Sequence, residues 1–124
     1  NITGASGARL LNSYTLSNAG TINLSGGSAN LFFVTGAALN NQADGVLNLL
    51  NDQGLINNGG AQSSINNAGV LNKSGSTGTS AVTMPMLCST KCRIRSGFAV
   101  IPSTHFSRRT MQALRMVLML LSKR

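Results

Sequence analysis

Apolar and polar positions alternate along this chain only over short stretches: Tyr14-Thr-Leu16, Thr21-Ile-Asn-Leu24, Val46-Leu-Asn-Leu49, Ser64-Ile65 and Val70-Leu71. Each stretch carries β-branched or aliphatic side chains and is bounded by Asn and Gly, the pattern of a short strand running into a turn. Helix formers such as Ala and Leu do occur, as in 45–50, but Gly and Asn recur too densely to leave a helical stretch of useful length.

The stretches repeat in one order. Leu16-Ser-Asn18-Ala-Gly20-Thr-Ile-Asn23, Leu39-Asn-Asn-Gln-Ala-Asp-Gly45-Val-Leu-Asn48 and Ile65-Asn-Asn67-Ala-Gly69-Val-Leu-Asn72 each run from an apolar residue through asparagine to glycine, and then to a Thr or Val, an Ile or Leu, and an Asn. Gly20, Gly45 and Gly69 fall 25 and 24 residues apart. Gly54-Leu-Ile56-Asn57 repeats the glycine half between the last two, so each period holds more than one strand. A period of this length made of short strands and Gly/Asn turns predicts a solenoid. Stacking successive periods in parallel places Ile22, Leu47 and Leu71 above one another inside, about 4.8 Å apart. Asn23, Asn48 and Asn72 then form an asparagine ladder at the following turn. The Asn-x-Gly and Asp-Gly steps are expected to supply the positive φ that lets the chain turn after each strand. A plainer reading makes the asparagines turn formers in a polar loop, but their regular offset from glycine favours the ladder.

Composition divides the chain near Val82. Residues 1–80 hold all 14 asparagines, 13 of the 14 glycines and only four charged side chains, Arg9, Asp44, Asp52 and Lys73, which sum to zero. Residues 81–124 hold no carboxylate, all five methionines, both cysteines, His105 and eight Lys or Arg, so the net charge of +8 belongs to this end. We therefore expect an Asn/Gly-rich coil over 1–82 and a basic Met/Arg-rich tail over 83–124, without regular structure or with a short helix near 110–123. The chain begins at Asn1 without a visible secretory signal and reads as part of a longer protein. Met111–Leu121, taken as a helix, would span roughly 17 Å, short of the ~30 Å hydrocarbon core.

Catalytic chemistry is hard to place. Asp44 and Asp52 are isolated turn residues, whereas β-helix lyases and hydrolases need clustered acids to hold calcium or to work as an acid/base pair. No calcium-binding nonapeptide, nucleophile elbow, P-loop or dinucleotide fingerprint occurs, and Gly75-Ser-Thr-Gly78 is a glycine-rich loop rather than a phosphate cradle. Cys88 and Cys92 with His105 lack the fourth ligand and paired spacing of a zinc site. His105 has no partner nucleophile and reads as a loop residue. No enzyme activity, metal or cofactor is expected.

The basic tail admits three readings. Thr110–Lys123 forms a cationic amphipathic helix, with Met111, Leu114, Leu118 and Leu121 on one face, that lies on an anionic membrane or caps the coil. Alternatively Lys91, Arg93, Arg95, Arg108 and Arg109 make a nonspecific phosphate-binding patch. The third reading is a shifted reading frame: residues 112–119, read two bases out of frame with permissible codons, encode Gly-Thr-Ala-Asp-Gly-Val-Asn-Val, close to Ala43–Asn48, which would leave the tail without a selected function.

Over about residues 10–80 the Asn-x-Gly-[Thr/Val/Leu]-[Ile/Leu]-Asn units, Asn58-Gly-Gly and Lys73-Ser-Gly-Ser-Thr-Gly resemble the repeats of bacterial autotransporter passenger domains and filamentous-haemagglutinin-like adhesins. The resemblance implies a right-handed parallel β-helix, export to the bacterial cell surface (the outer membrane) or the extracellular space, and a non-catalytic role as stalk or adhesive rod. Its partners would be neighbouring repeats of a longer parent chain and surface or host glycans or proteins, with anionic surfaces met nonspecifically through the tail. Two alternatives remain: a basic tail that binds membrane or nucleic acid on a repeat spacer, and one edge of a β-helix carbohydrate-active enzyme. Because such families define a scaffold, the resemblance carries over no functional residue. The residues singled out are the structural repeat positions Gly20, Ile22, Asn23, Gly45, Leu47, Asn48, Gly54, Ile56, Asn57, Gly69, Leu71 and Asn72.

Overall fold

A computed structural model describes residues 1–3, 9–27, 30–95 and 97–100. Among them every regular element is a strand and every strand pairing is parallel. The first turn of the coil comprises β1 (Arg9–Asn12), β2 (Thr15–Asn18) and β3 (Thr21–Leu24). The second comprises β4 (Leu31–Val34), β5 (Ala38–Asn41) and β6 (Val46–Leu49), and the third β7 (Leu55–Asn57), β8 (Ser64–Asn67) and β9 (Val70–Lys73). The fourth comprises β10 (Ser80–Val82), β11 (Met86–Cys88) and β12 (Arg93–Ile94), and β13 (Phe98–Val100) begins the next. Equivalent strands stack into three sheets, ordered β1-β4-β7-β10-β13, β2-β5-β8-β11 and β3-β6-β9-β12. The chain is thus a parallel β-solenoid. A strand of three or four residues is too short to persist alone, and the turns above and below supply partners for its N–H and C=O groups.

Burial alternates with period two, as the pleat requires. In β5, Leu39 and Asn41 point inward and Ala38 and Asn40 outward; in β6, Leu47 and Leu49 point inward. The inward residues fill one continuous core that includes Leu24, Leu31, Phe33, Leu39, Leu55, Ile65 and Met84. Ile22, Leu47, Leu71 and Ile94 occupy one in-register column. Leu47 and Leu71 are buried, and Ile22, in the first turn, is half-buried.

Parallel pairing continues beyond the compositional break, since β11, β12 and β13 extend the sheets to residue 100. β11 keeps Met86 and Cys88 buried, and Phe98 of β13 packs half-buried against the core, so loss of Asn and Gly usage does not by itself end the coil. The helix expected near 110–123 lies outside the described residues.

The glycine half-repeat at Gly54 is not equivalent to the others. Leu55–Asn57 belongs to the sheet of β1 and β4, with Leu55 buried and Ile56 turned outward beside Phe32, whereas Leu47 and Leu71, at the corresponding spacing from their glycines, face in. Gly20, Gly45 and Gly69 are also not left-handed; positive φ occurs in other corners, at Gly36 and Gly59, and at Ser13 and Thr35. For Gly45 and Gly69 the constraint is close approach between turns. A Cβ on Gly69 would run into the carbonyl oxygens of Gly45 and Gln42, and one on Gly45 into Asn41 Oδ1 and Asn18 O.

Candidate functional site

The chemistry displayed by this coil is that of stacked amides. Asn23, Asn48 and Asn72 occupy the third position of β3, β6 and β9, so the ladder runs up the strands rather than through a turn. Asn48 Nδ2 donates to Asn23 Oδ1 at 2.8 Å and Asn72 Nδ2 to Asn48 Oδ1 at 3.1 Å; Asn23 Nδ2 continues the line to Asn1 Oδ1 at 3.1 Å. Asn57 stands outside it: its backbone N–H donates to Thr83 Oγ1 and its side chain accepts from Ser63 N.

A second ladder, unforeseen from the repeat, runs inside the coil where β2, β5 and β8 end. Asn18 Nδ2 donates to Asn41 Oδ1 and Asn41 Nδ2 to Asn67 Oδ1, both at 2.8 Å, and all three residues are buried. Each amide also secures its own corner. Asn18 Oδ1 and Asn67 Oδ1 accept from Gly20 N and Gly69 N, and the amide nitrogens of Asn18 and Asn41 reach Val46 O and Val70 O in the next turn. Buried amides satisfied on every side hold the register of the turns. The sequence signal was present in the Asn-Ala-Gly steps at Asn18 and Asn67, but aligning the repeats on the residues after glycine drew attention to the outer ladder.

The inner ladder ends on sulfur. Cys88 pairs in register with Asn67, and Asn67 Nδ2 donates to Cys92 Sγ at 3.2 Å. Cys88 and Cys92 form a disulfide across the corner between β11 and β12. This corner has the same length as the one between β5 and β6, which makes Cys88 the counterpart of Asn41 and Cys92 that of Gly45. The matching turn bonds, Gly45 N to Gln42 O at 2.8 Å and Cys92 N to Ser89 O at 3.0 Å, agree. In the lower corner a covalent bond stands where the upper one uses Asn41 Nδ2 to Gly45 O.

The two carboxylates lie in different corners, Asp44 between β5 and β6 and Asp52 between β6 and β7. Asp52 pairs with Lys73 at 2.6 Å. Lys73 follows Leu24 and Leu49 in an inward column, so its stem is buried and its ammonium leaves the core to reach Asp52 and also Ser76 O and Oγ. The hydrogen bond from Lys73, and then that from Ser76, hold the Asp52 carboxyl below its ordinary range. No cluster of three metal-ligating side chains occurs among the described residues. No family model, curated protein or solved structure matches this chain.

Proposed function

We propose that this chain is a structural, non-catalytic repeat segment of a bacterial secreted or surface-exposed adhesin of the autotransporter or filamentous-haemagglutinin kind. The observation that carries the reading is the continuity of the amide ladders: the same side chain in successive turns bonds to its copy, which suits a rod lengthened by adding turns. The separation of the two carboxylates and the engagement of Asp52 with Lys73 favour this role over hydrolysis of a glycan. A rod of this kind resists pulling along the stack through many parallel hydrogen bonds and presents its outer faces and corners to partners.

Antibodies raised against the folded coil test this reading on cells of the bacterium that encodes it. Labelling of intact cells, removed by mild protease shaving, is the expected result. Labelling only after permeabilisation would overturn it. A second reading, contact with anionic surfaces, is favoured by Lys91, Arg93 and Arg95, which are exposed on the fourth turn.

A further inference from the structure

The corner that joins the sheet of β2, β5, β8 and β11 to that of β3, β6, β9 and β12 is uneven. Two residues, Ala68 and Gly69, connect β8 to β9, whereas four connect β5 to β6 and four connect β11 to β12. Both long corners close as hydrogen-bonded turns, so their extra residues, Ala43-Asp44 and Thr90-Lys91, stand out as tips. The short corner between them stays level with the coil: Ala68 N donates to Asn41 O and Arg93 N to Gly69 O. Its glycine lies so close under the upper corner that no side chain fits there. The result is a notch one turn deep. Rungs are about 4.8 Å apart, so the tips two rungs apart leave room for about one layer of atoms between them.

Two grooves open from this notch and share Thr90. One, of about 500 Å³, runs over Ala68 between Asn66 and Leu87. The other runs over Gly69 to Lys91 and Arg93. We propose that the notch is a binding site for an acidic saccharide, which lays a ring against Ala68, Leu87 and the Thr90 methyl and directs its carboxylate to Lys91 and Arg93. A sugar ring has an apolar C–H face and a hydroxyl edge, and the notch matches both: Ala68 and Leu87 give it an aliphatic floor, and Ser89 and Thr90, which also line it, bring hydroxyl groups. The volume suits a ligand of one or two sugar units. The two cations give the anionic end of the ligand its direction. An extended peptide fits less well, because β5 and β8 are paired on both edges and the amides of Gln42, Ala68, Gly69 and Ser89 at the corners are already bonded, leaving no free strand edge for strand addition.

The site goes beyond the rod reading and stands or falls without it. The test is an amide-resolved NMR titration of the full chain with tri-galacturonate, against fully methyl-esterified tri-galacturonate, which has the same shape without the charge. Shifts are expected at Ala68, Gly69, Thr90 and Lys91, with binding at least about tenfold weaker for the ester. Lys91→Ala and Arg93→Ala should each weaken binding by about tenfold. Arg95→Ala, an exposed cation that lines neither groove, should change it by no more than about twofold. Thr90→Tyr, on an exposed tip, should block binding while the rest of the spectrum stays unchanged. Equal binding of acid and ester, equal loss on Arg95→Ala, undiminished binding by Thr90→Tyr, or an absence of shifts at the notch would each overturn the proposal.

Discussion

Truncating Asn41 separates a structural ladder from a decorative one. Asn41 is 3% exposed; its Nδ2 donates to Asn67 Oδ1 at 2.8 Å and to Gly45 O and Val70 O at 3.1 Å, and its Oδ1 accepts from Asn18 Nδ2 at 2.8 Å. Asn41→Ala removes all of these at once. Several neighbours keep a second partner: Gly45 O retains Val70 N, Asn67 Oδ1 retains Gly69 N and Asn18 Nδ2 retains Val46 O. The loss is therefore that of two or three buried hydrogen bonds and a small cavity, about 2–4 kcal/mol, without the larger penalty of orphaned groups. Asn66→Ala is the control, because Asn66 is exposed and makes one ladder bond, to Asn40 at 2.8 Å; it should cost about 0.5 kcal/mol or less. Urea unfolding followed by far-ultraviolet circular dichroism reads both variants. With a slope of about 1–2 kcal/mol/M, the Asn41 variant should lose at least ~1 M in midpoint while the Asn66 variant barely moves. Equal shifts for the two variants would refute the idea that the buried ladder, rather than asparagine content, holds the turns in register.

Further expectations follow from the corners. Gly69→Ala should destabilise the coil by about 2 kcal/mol or more because its Cβ meets backbone oxygens, whereas Gly20→Ala, with nothing within 4 Å of the added atom, should stay within about 0.5 kcal/mol in the same urea assay. The Asp52 carboxyl has a folded pKa below its ordinary value of 3.8, so its contribution to stability is present above that value and is lost as pH falls through the folded pKa. Hydrogen exchange between pH 5 and 2 should show residues 74–80 losing protection in the wild type and little pH dependence in Asp52→Asn. Reduction of the Cys88–Cys92 disulfide should lower protection of Cys92 N and Arg93 N more than that of Val46 N. The paired substitution Cys88→Asn with Cys92→Gly rebuilds the upper corner and should make protection there independent of reductant; continued sensitivity would show that the two corners are not equivalent.

Much of the architecture was legible in the chain. The spacing of Gly20, Gly45 and Gly69 predicted the stacking of Ile22, Leu47 and Leu71, and the outer ladder of Asn23, Asn48 and Asn72 followed from the same offset. This works because a parallel coil repeats its own environment: a residue one period later meets the same neighbours, so periodicity in sequence becomes adjacency in space. The short strands and the mixing of Asn with aliphatic residues excluded a helical reading for the same region. Composition was a poorer guide to the limit of the coil: β11 buries Met86 and Cys88 without Asn or Gly, and β12, though exposed, still finds main-chain partners on β9.

Tertiary structure alone decided the phase of each strand and the role of each corner. Side chains alternate with period two, so one residue of difference in where a strand begins exchanges inside for outside; Leu55 and Ile56 are reversed for this reason although their local sequence copies the glycine half-repeat. The pattern around Asn18, Asn41 and Asn67 is as polar as that around Asn23, and only the packed turns distinguish a buried ladder from a half-buried one. Glycine at 45 and 69 looked like a torsional requirement and proved to be a steric one, visible only when the neighbouring turn is in place. The uneven corner and the disulfide that stands in place of an asparagine hydrogen bond likewise depend on which turns are neighbours. Local pattern thus set the period and the strand content of this protein, whereas the face, the contact and the recess arose from stacking one turn on the next.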